Sequence, residues 1–233
     1  MPPSLIPLRR RGVEILDSPD VDPDLMRRSL ADVVCANALF GGARSALDEL
    51  EETISSVPRC ATLLDVGTGL ADIPSRAKKL AQENGIELTT IGLDSALELL
   101  RAGRQGVSFA VRGDALHLPF ADRSVDIVMC SQVLHHFADT DAATLLREMN
   151  RVARIRVIVS DIRRSWIAVA GLWLFSFPLR FHAVSRHDGV VSVLRGFTPG
   201  ELADTVSNAI ARQPVVHRRR GFRITASWAP AHR

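Results

Sequence analysis

The chain has 233 residues, 46% of them hydrophobic and 24% charged, with a formal net charge of +3. That length supplies a single domain with a substantial core, and nothing in the composition argues for a second. So small a charge does not by itself imply a nucleic-acid partner. The three cysteines, Cys35, Cys60 and Cys130, are odd in number and lack metal-type spacing, so they read as reduced, mostly buried thiols of a cytoplasmic protein.

The opening stretch Met1 to Pro7 lacks the long apolar core of a signal peptide and is expected to be a short, poorly ordered leader. Residues 22–56 read as a helical region, opened by Asp22-Pro23 and carrying Leu25, Leu30, Val33 and Val34 at helical spacing. Phe40-Gly41-Gly42 interrupts it, either as a plain turn between helices or as a hinge that turns Asn37 and Arg44 toward a site below. Residues 1–58 are therefore assigned to a leader and helical cap, and 59–233 to the core.

Within the core, strands are expected near 61–66, 88–93, 107–111, 125–130 and 155–160, with helices near 73–84, 95–103 and 140–152. Such alternation builds a parallel sheet with helices on both faces. Ligands of these sheets sit beyond the carboxyl ends of the strands. Gly67, Asp94, Asp114, Ser131 and Asp161 all fall at those ends.

An insertion over 162–197 follows, where Trp166, Trp173, Phe175 and Phe177 lie between Arg163-Arg164 and Arg180, with Phe181 next. It is shorter than the roughly 20 apolar residues a membrane span requires. A lid over an apolar substrate, ordinary core or dimer packing, and an interfacial membrane helix are the three readings of it. Thr198-Pro199 then caps a helix running to about Arg212, and strands near 214–218 and 221–228 follow. Their short connection makes them an antiparallel pair. The basic run His217 to Arg220 reads as a solvated turn, with a phosphate or anionic-surface contact as the alternative.

The most informative pattern is Leu63-Leu64-Asp65-Val66-Gly67-Thr68-Gly69 with Gly92-Leu93-Asp94 about 25 residues later. Glycines at 67 and 69 allow a tight turn and leave room for a ligand against the backbone. Asp65 lies in an otherwise apolar strand, where an unpaired carboxylate is expensive to bury, so it requires a partner. Asp72 stands where a dinucleotide fingerprint would carry its last glycine or alanine, which weakens the case for NAD. Asp72-Ile73-Pro74 reads as an N-cap acid and first-turn proline.

Four segments together resemble the class I S-adenosylmethionine-dependent methyltransferases: Leu63 to Gly69, Gly92 to Asp94, Gly113-Asp114-Ala115 with Leu118-Pro119-Phe120, and Val125 to Val128 through Val133-Leu134-His135-His136. The resemblance implies a Rossmann-like α/β fold, a seven-stranded sheet with an antiparallel last strand, helices on both faces and an N-terminal helical cap. It also implies S-adenosyl-L-methionine as cofactor and S-adenosyl-L-homocysteine as product. Carried over by position, Gly67, Thr68 and Gly69 would pass under the methionine part, with Asp65 orienting its ammonium end. Asp94, with Ser95 beside it, would hold the ribose hydroxyls. Asp114 would accept from the adenine amino group and Ala115 would line the ring. Ser131 and Gln132 would face the site near the reacting methyl. The third glycine of many members appears as Ala71 or is missing.

Methyl transfer requires a nucleophile brought to near-attack distance and, for a phenol or enol, loss of its proton. No metal is needed, and no ligand cluster stands out. Histidine suits a base, since its unperturbed pKa lies near neutrality. His135 and His136 after the fourth strand, and His182 and His187 after the aromatic stretch, are the candidates; His187, between Arg186 and Asp188, could instead form a polar turn. Cys130-Ser131-Gln132-Val133 is unlike the Asn/Asp-Pro-Pro-aromatic arrangement of enzymes that methylate exocyclic amines of bases, and Val-Leu-His-His resembles small-molecule methyltransferases of quinone and natural-product biosynthesis. The expectation is a methyltransferase acting at oxygen or carbon of a small apolar acceptor: a phenol, a polyketide-type aromatic or a quinone precursor. A non-catalytic cofactor-binding partner protein and an NAD-dependent oxidoreductase are the rival classes, and contact with a membrane surface is a further variant.

Overall fold

The computed structural model describes residues 6–10, 12–18 and 21–230. Seven strands, β1 (Cys60–Val66), β2 (Glu87–Asp94), β3 (Phe109–Arg112), β4 (Val125–Ser131), β5 (Ala153–Ile162), β6 (Val215–Arg219) and β7 (Arg223–Trp228), form one sheet in the order β3-β2-β1-β4-β5-β7-β6. β1 to β5 pair in parallel, whereas β7 runs antiparallel to both β5 and β6. This is the expected mixed sheet. The chain begins β7 at the edge where β5 ends, so Arg223 pairs with Ile162 and joins the parallel strand tips on one side of the sheet.

Two helices precede the sheet, α1 (Pro23–Leu39) and α2 (Gly42–Ile54); α3 (Asp72–Glu83), α4 (Leu97–Ala102) and α5 (Asp139–Val152) connect the parallel strands. α6 (Trp166–Ser176), α7 (Ala183–Arg195) and α8 (Pro199–Ile210) follow β5. The period of two along each strand divides the core between the sheet's faces. Leu63, Ile127, Met129 and Ile158 pack with Leu50 of α2 and Ala77 of α3 on one face. Leu64, Val128, Cys130 and Val159 meet Leu145 and Met149 of α5 and Leu202 of α8 on the other. All but Ala77 are larger side chains with no solvent exposure, and truncating such a leucine to alanine costs about 2–5 kcal/mol.

The structure departs from the sequence reading in several places. The insertion holds a second helix, α7, because His182 accepts from the Val184 amide as its cap and the chain continues helical through Gly189 to Arg195. Residues 1–5 of the expected leader lie outside the described residues; beside its end, Arg164 donates to the Pro7 carbonyl at 2.7 Å, and Arg195 donates to the Gly12 carbonyl at 2.6 Å. Both arginines are buried, and these leader carbonyls satisfy them.

The basic run is also no solvated turn. His217 and Arg219 lie in β6, and Arg219 donates to Glu49 of α2 at 2.6 Å and to Glu52 at 2.8 Å. Finally, Asp72 is the first residue of α3, not its cap; Ala71 occupies that place with a left-handed φ of 57°. Cys130 is buried, but Cys60 is exposed and Cys35 intermediate, so the thiols are less buried than expected. Of the apolar positions expected on α1, the side chain of Leu30 lies outside the described residues, while Val33 and Val34 are each 42% exposed.

Candidate active site

The loop between β1 and α3 is built around two glycines with positive φ, 71° at Gly67 and 54° at Gly69. A Cβ on Gly67 would come within 2.5 Å of Val133, so this position admits only glycine; one on Gly69 would meet nothing within 4 Å. Open space therefore lies against the Gly69 backbone. The Gly67 and Thr68 amides both donate to the Leu93 carbonyl, at 2.8 and 3.0 Å, and the Gly69 amide donates to Asp94 at 3.0 Å. The other Asp94 oxygen accepts from the Ala96 amide at 2.9 Å, which turns the chain at exposed Ser95 into α4. Ala71 and, after β4, Gln132 with φ 58° are strained non-glycine residues on this same edge, a pattern found where a ligand site over-determines the backbone.

Asp65 is buried, and burial pushes its carboxyl up to about 7, with the Thr68 hydroxyl pulling it down and the nearby Asp72 and Asp94 charges adding to the rise. A cation brought to this point would relieve that strain. The hydroxyl of Ser131, at the tip of β4, is buried with no hydrogen-bond partner. Asp114 is exposed beyond β3, where its carboxylate pairs with His117 at 2.9 Å and accepts from the Leu116 amide at 2.8 Å, holding its pKa below the usual range. Ala115 next to it packs against the core. An open glycine cradle, an orphaned hydroxyl, a buried acid lacking a counter-charge and an acid on the neighbouring strand tip are donors and acceptors that fit an amino-acid nucleoside.

Beside this edge lies a cavity of about 360 Å³ whose lining is mostly apolar, within the range of small-molecule sites of about 300–1,000 Å³. α1 contributes Asn37, β4 leads to Gln132, α6 contributes Gly171 and Leu172, and Phe181 and Val193 close the far side. Ile167 and Phe175 line it and are also 54% and 53% exposed, so they stand at its mouth. Of the two residues that a hinge at Phe40 to Gly42 would have presented, Asn37 lines the cavity. Arg44 pairs instead with Asp48 on the outer side of α2.

The histidines do not meet there. His135 is buried, and its Nδ1 bonds Asp161 at 2.6 Å while its amide donates to the other Asp161 oxygen at 3.1 Å. Burial alone would raise the Asp161 carboxyl, but His135 and the Ile162 amide hold it below the usual range. The pair thereby ties the tips of β4 and β5 together. His136 stacks on His135 with ring centroids 4.2 Å apart and faces Arg195 at 3.3 Å. His187 lies within α7, half exposed, against Asp188 at 2.8 Å. None of the three lines the cavity among the described residues. The polar turn imagined around His187 is a helix.

Of the polar residues that line the cavity, sequence reasoning named Asn37 and Gln132 but gave no such role to three charged ones. Glu14 comes from the leader and accepts from Ser192 at 2.8 Å and Arg195 at 3.0 Å; Asp188 caps the leader by accepting from the Ile15 and Leu16 amides, each at 2.9 Å. Arg223 is a third, at the first position of β7. No local signal announces them, since each depends on contacts between segments far apart in sequence. Among the described residues, two groups bring three possible cation ligands within 4.8 Å, Glu14 with His135 and His136, and Glu49 with Glu52 and His217. In each an arginine already meets the carboxylates, Arg195 at 3.0 Å and Arg219 at 2.6 Å, so both read as ion-pair networks.

A family model described as "Methyltransferase domain" matches residues 64–159. A demethylmenaquinone methyltransferase of Roseiflexus sp. is 30% identical over 195 residues, which cover 74% of this chain and 76% of that protein. A second, from Roseiflexus castenholzii, is 32% identical over 62% of each chain. Among solved structures, the fold resembles magnesium protoporphyrin IX methyltransferase from Synechocystis with bound SAH, with a TM-score of 0.59 at 14% identity over 89% of this chain and 94% of that one. A SAM-dependent methyltransferase from Thermotoga maritima gives 0.59 at 14% identity, over 89% and 99%.

Proposed function

The chain belongs to the S-adenosylmethionine-dependent methyltransferases, and from that premise we propose that it methylates oxygen or carbon of a small, largely apolar acceptor of the phenol or quinone-precursor class. The observation that carries this reading is the apolar cavity of about 360 Å³ running from the strand edge at Gln132 to α6 and α7. The demethylmenaquinone methyltransferases among its relatives support the same acceptor class.

When bound, S-adenosylmethionine supplies a methyl group on a positively charged sulfur, open to in-line displacement. In this reading Gly67, Thr68 and Gly69 bed its methionine part, Asp65 meets the ammonium group, and Asp94 with Ser95 holds the ribose. Asp114 and Ala115 take the adenine. Ser131 and Gln132 stand between cofactor and cavity. The aromatic residues around α6 and α7 exclude water from the acceptor and hold it at reacting distance. Proton transfer is not assigned to His135, His136 or His187, since none lines the cavity.

Calorimetry of the protein saturated with S-adenosylhomocysteine tests the acceptor reading. 1-Naphthol and a reduced naphthoquinone are expected to bind at micromolar concentration. Absence of binding by both, with cofactor affinity intact, would favour the non-catalytic partner reading.

One observation favours a variant in which the acceptor is drawn from a lipid surface. α6 turns Trp173, Leu174 and Phe175 to the outside, each more than half exposed, with exposed Arg180 just beyond and Arg186 over the Phe177 ring at 4.6 Å. No helix among the described residues is long and apolar enough to cross a membrane. Co-sedimentation with anionic liposomes that is lost in Trp173→Ser would support surface contact, and no co-sedimentation of the wild type would remove it.

A further inference from the structure

Among the described residues, four titratable side chains line the cavity: Glu14, Asp32, Asp188 and Arg223. The three acids are already engaged. Glu14 accepts from Ser192 and Arg195, Asp32 accepts from the His182 amide at 2.8 Å and the Ser185 hydroxyl at 2.7 Å, and Asp188 accepts from two leader amides. Arg223 differs. It is only 6% exposed, its Nε is buried without a partner, and its side chain makes no hydrogen bond or ion pair among the described residues.

A buried guanidinium without an acceptor costs several kcal/mol as a general matter, and folded proteins keep such a group where something else completes it. Burial brings its pKa down to about 10, with the more distant Asp161 charge acting the other way, so it stays a cation at neutral pH. Its position is equally specific. β7 starts at the edge where β5 ends, so Arg223 stands level with Ile162, on the same cavity wall and the same sheet edge that carries the cofactor loop.

We propose that Arg223 binds the reacting hydroxyl of the acceptor as an oxyanion, so that a phenol or enol enters the reaction already ionised. The hydroxyl gives its proton to water at the cavity mouth and keeps the electron pair; no histidine is required to remove it. This inference rests on the acceptor reading of the cavity and gives Arg223 the task that the sequence had assigned to His135, His136 or His187. The acceptor class follows: an apolar body carrying one acidic hydroxyl, the anion held by charge-assisted hydrogen bonds.

The test uses 4-nitro-1-naphthol, whose phenolate absorbs in the visible, titrated with pH in the presence of the full-length protein and S-adenosylhomocysteine. The bound probe is expected to ionise at least one pH unit lower than in water, equivalent to at least tenfold tighter binding of the phenolate over the phenol. Arg223→Met should abolish that shift, and Arg223→Lys should keep part of it. A probe that binds the wild type but ionises at the same pH as in water, or higher, overturns the inference while leaving the acceptor cavity standing. A probe that does not bind at all removes the cavity reading and the inference together. A wild-type shift that persists in full in Arg223→Met also overturns the inference, and should that variant fail to fold, a shift undiminished in Arg223→Lys does the same.

Discussion

The amide of Gly69 donates to the carboxylate of Asp94 at 3.0 Å, joining the glycine loop after β1 to the acid at the tip of β2. One residue thus shapes the loop and, in the proposed reading, also holds the ribose. Asp94→Ala should lower affinity for S-adenosylhomocysteine ten- to a hundredfold, about 1.5–3 kcal/mol, by losing charge-assisted hydrogen bonds. Calorimetry checks this, and an affinity within twofold of wild type would place the ribose elsewhere.

Asp65 predicts a pH dependence of cofactor binding. Its carboxyl is raised to about 7 in the free protein, and the ammonium group that it is proposed to meet favours the ionised form. Binding therefore releases a proton wherever Asp65 is still protonated, and affinity should fall as the pH drops from about 7.5 to about 6. The same raised value means that the free protein loses stability as pH rises from about 4 to about 7, because the folded state holds the extra proton. Measuring affinity across that range in wild type and Asp65→Asn gives the answer; equal pH profiles in the two would contradict the role.

Gly171 offers a direct way to fill the cavity. A Cβ there meets nothing within 4 Å, and the residue lies within α6. Gly171→Ala should stabilise the fold by roughly 0.5–1 kcal/mol through helix propensity. Gly171→Leu should leave S-adenosylhomocysteine affinity unchanged while weakening 1-naphthol binding at least tenfold. Unweakened naphthol binding would show that acceptors sit elsewhere.

Glu49 ties α2 to the antiparallel end of the sheet. Burial would raise its carboxyl, but Thr225 at 2.5 Å, Arg219, Ser227 at 2.7 Å and His217 together hold it below the usual value. Glu49→Ala should cost about 2–4 kcal/mol at neutral pH, read from urea midpoints. Since the folded-state pKa is depressed, the wild-type advantage is present above about 4.5 and should shrink as pH falls through the lowered value. A cost that does not change with pH would point to packing alone.

The sheet and its edge were legible because the parallel strands carry apolar runs and their tips a glycine, an acid or, after β4, Ser131 and Gln132, signals confined to a few residues. Contacts between distant segments left no such mark. Glu49 meets Thr225 across 176 positions, and nothing near either residue announces the other. α7 was missed because Gly189 and the polar run Arg186 to Asp188 read as a turn. The structure spends Asp188 on capping the leader amides instead. The histidines misled for a related reason: residue type and position after β4 suggested a base, whereas Asp161, on the neighbouring strand, takes His135 for itself. Arg223 could not be singled out at all, since an arginine opening a strand is ordinary until its partners are counted.

The most direct measurement is transfer of a deuterated methyl group from S-adenosylmethionine to a reduced naphthoquinone or naphthol, followed by mass spectrometry in wild type and Gly171→Leu. The account predicts a labelled, singly methylated product from the wild type and little or none from the variant, with both proteins binding the cofactor equally. Equal product from the two would contradict the placement of the acceptor in this cavity, and no product from a cofactor-saturated wild type across the acceptor panel would contradict the proposed acceptor class.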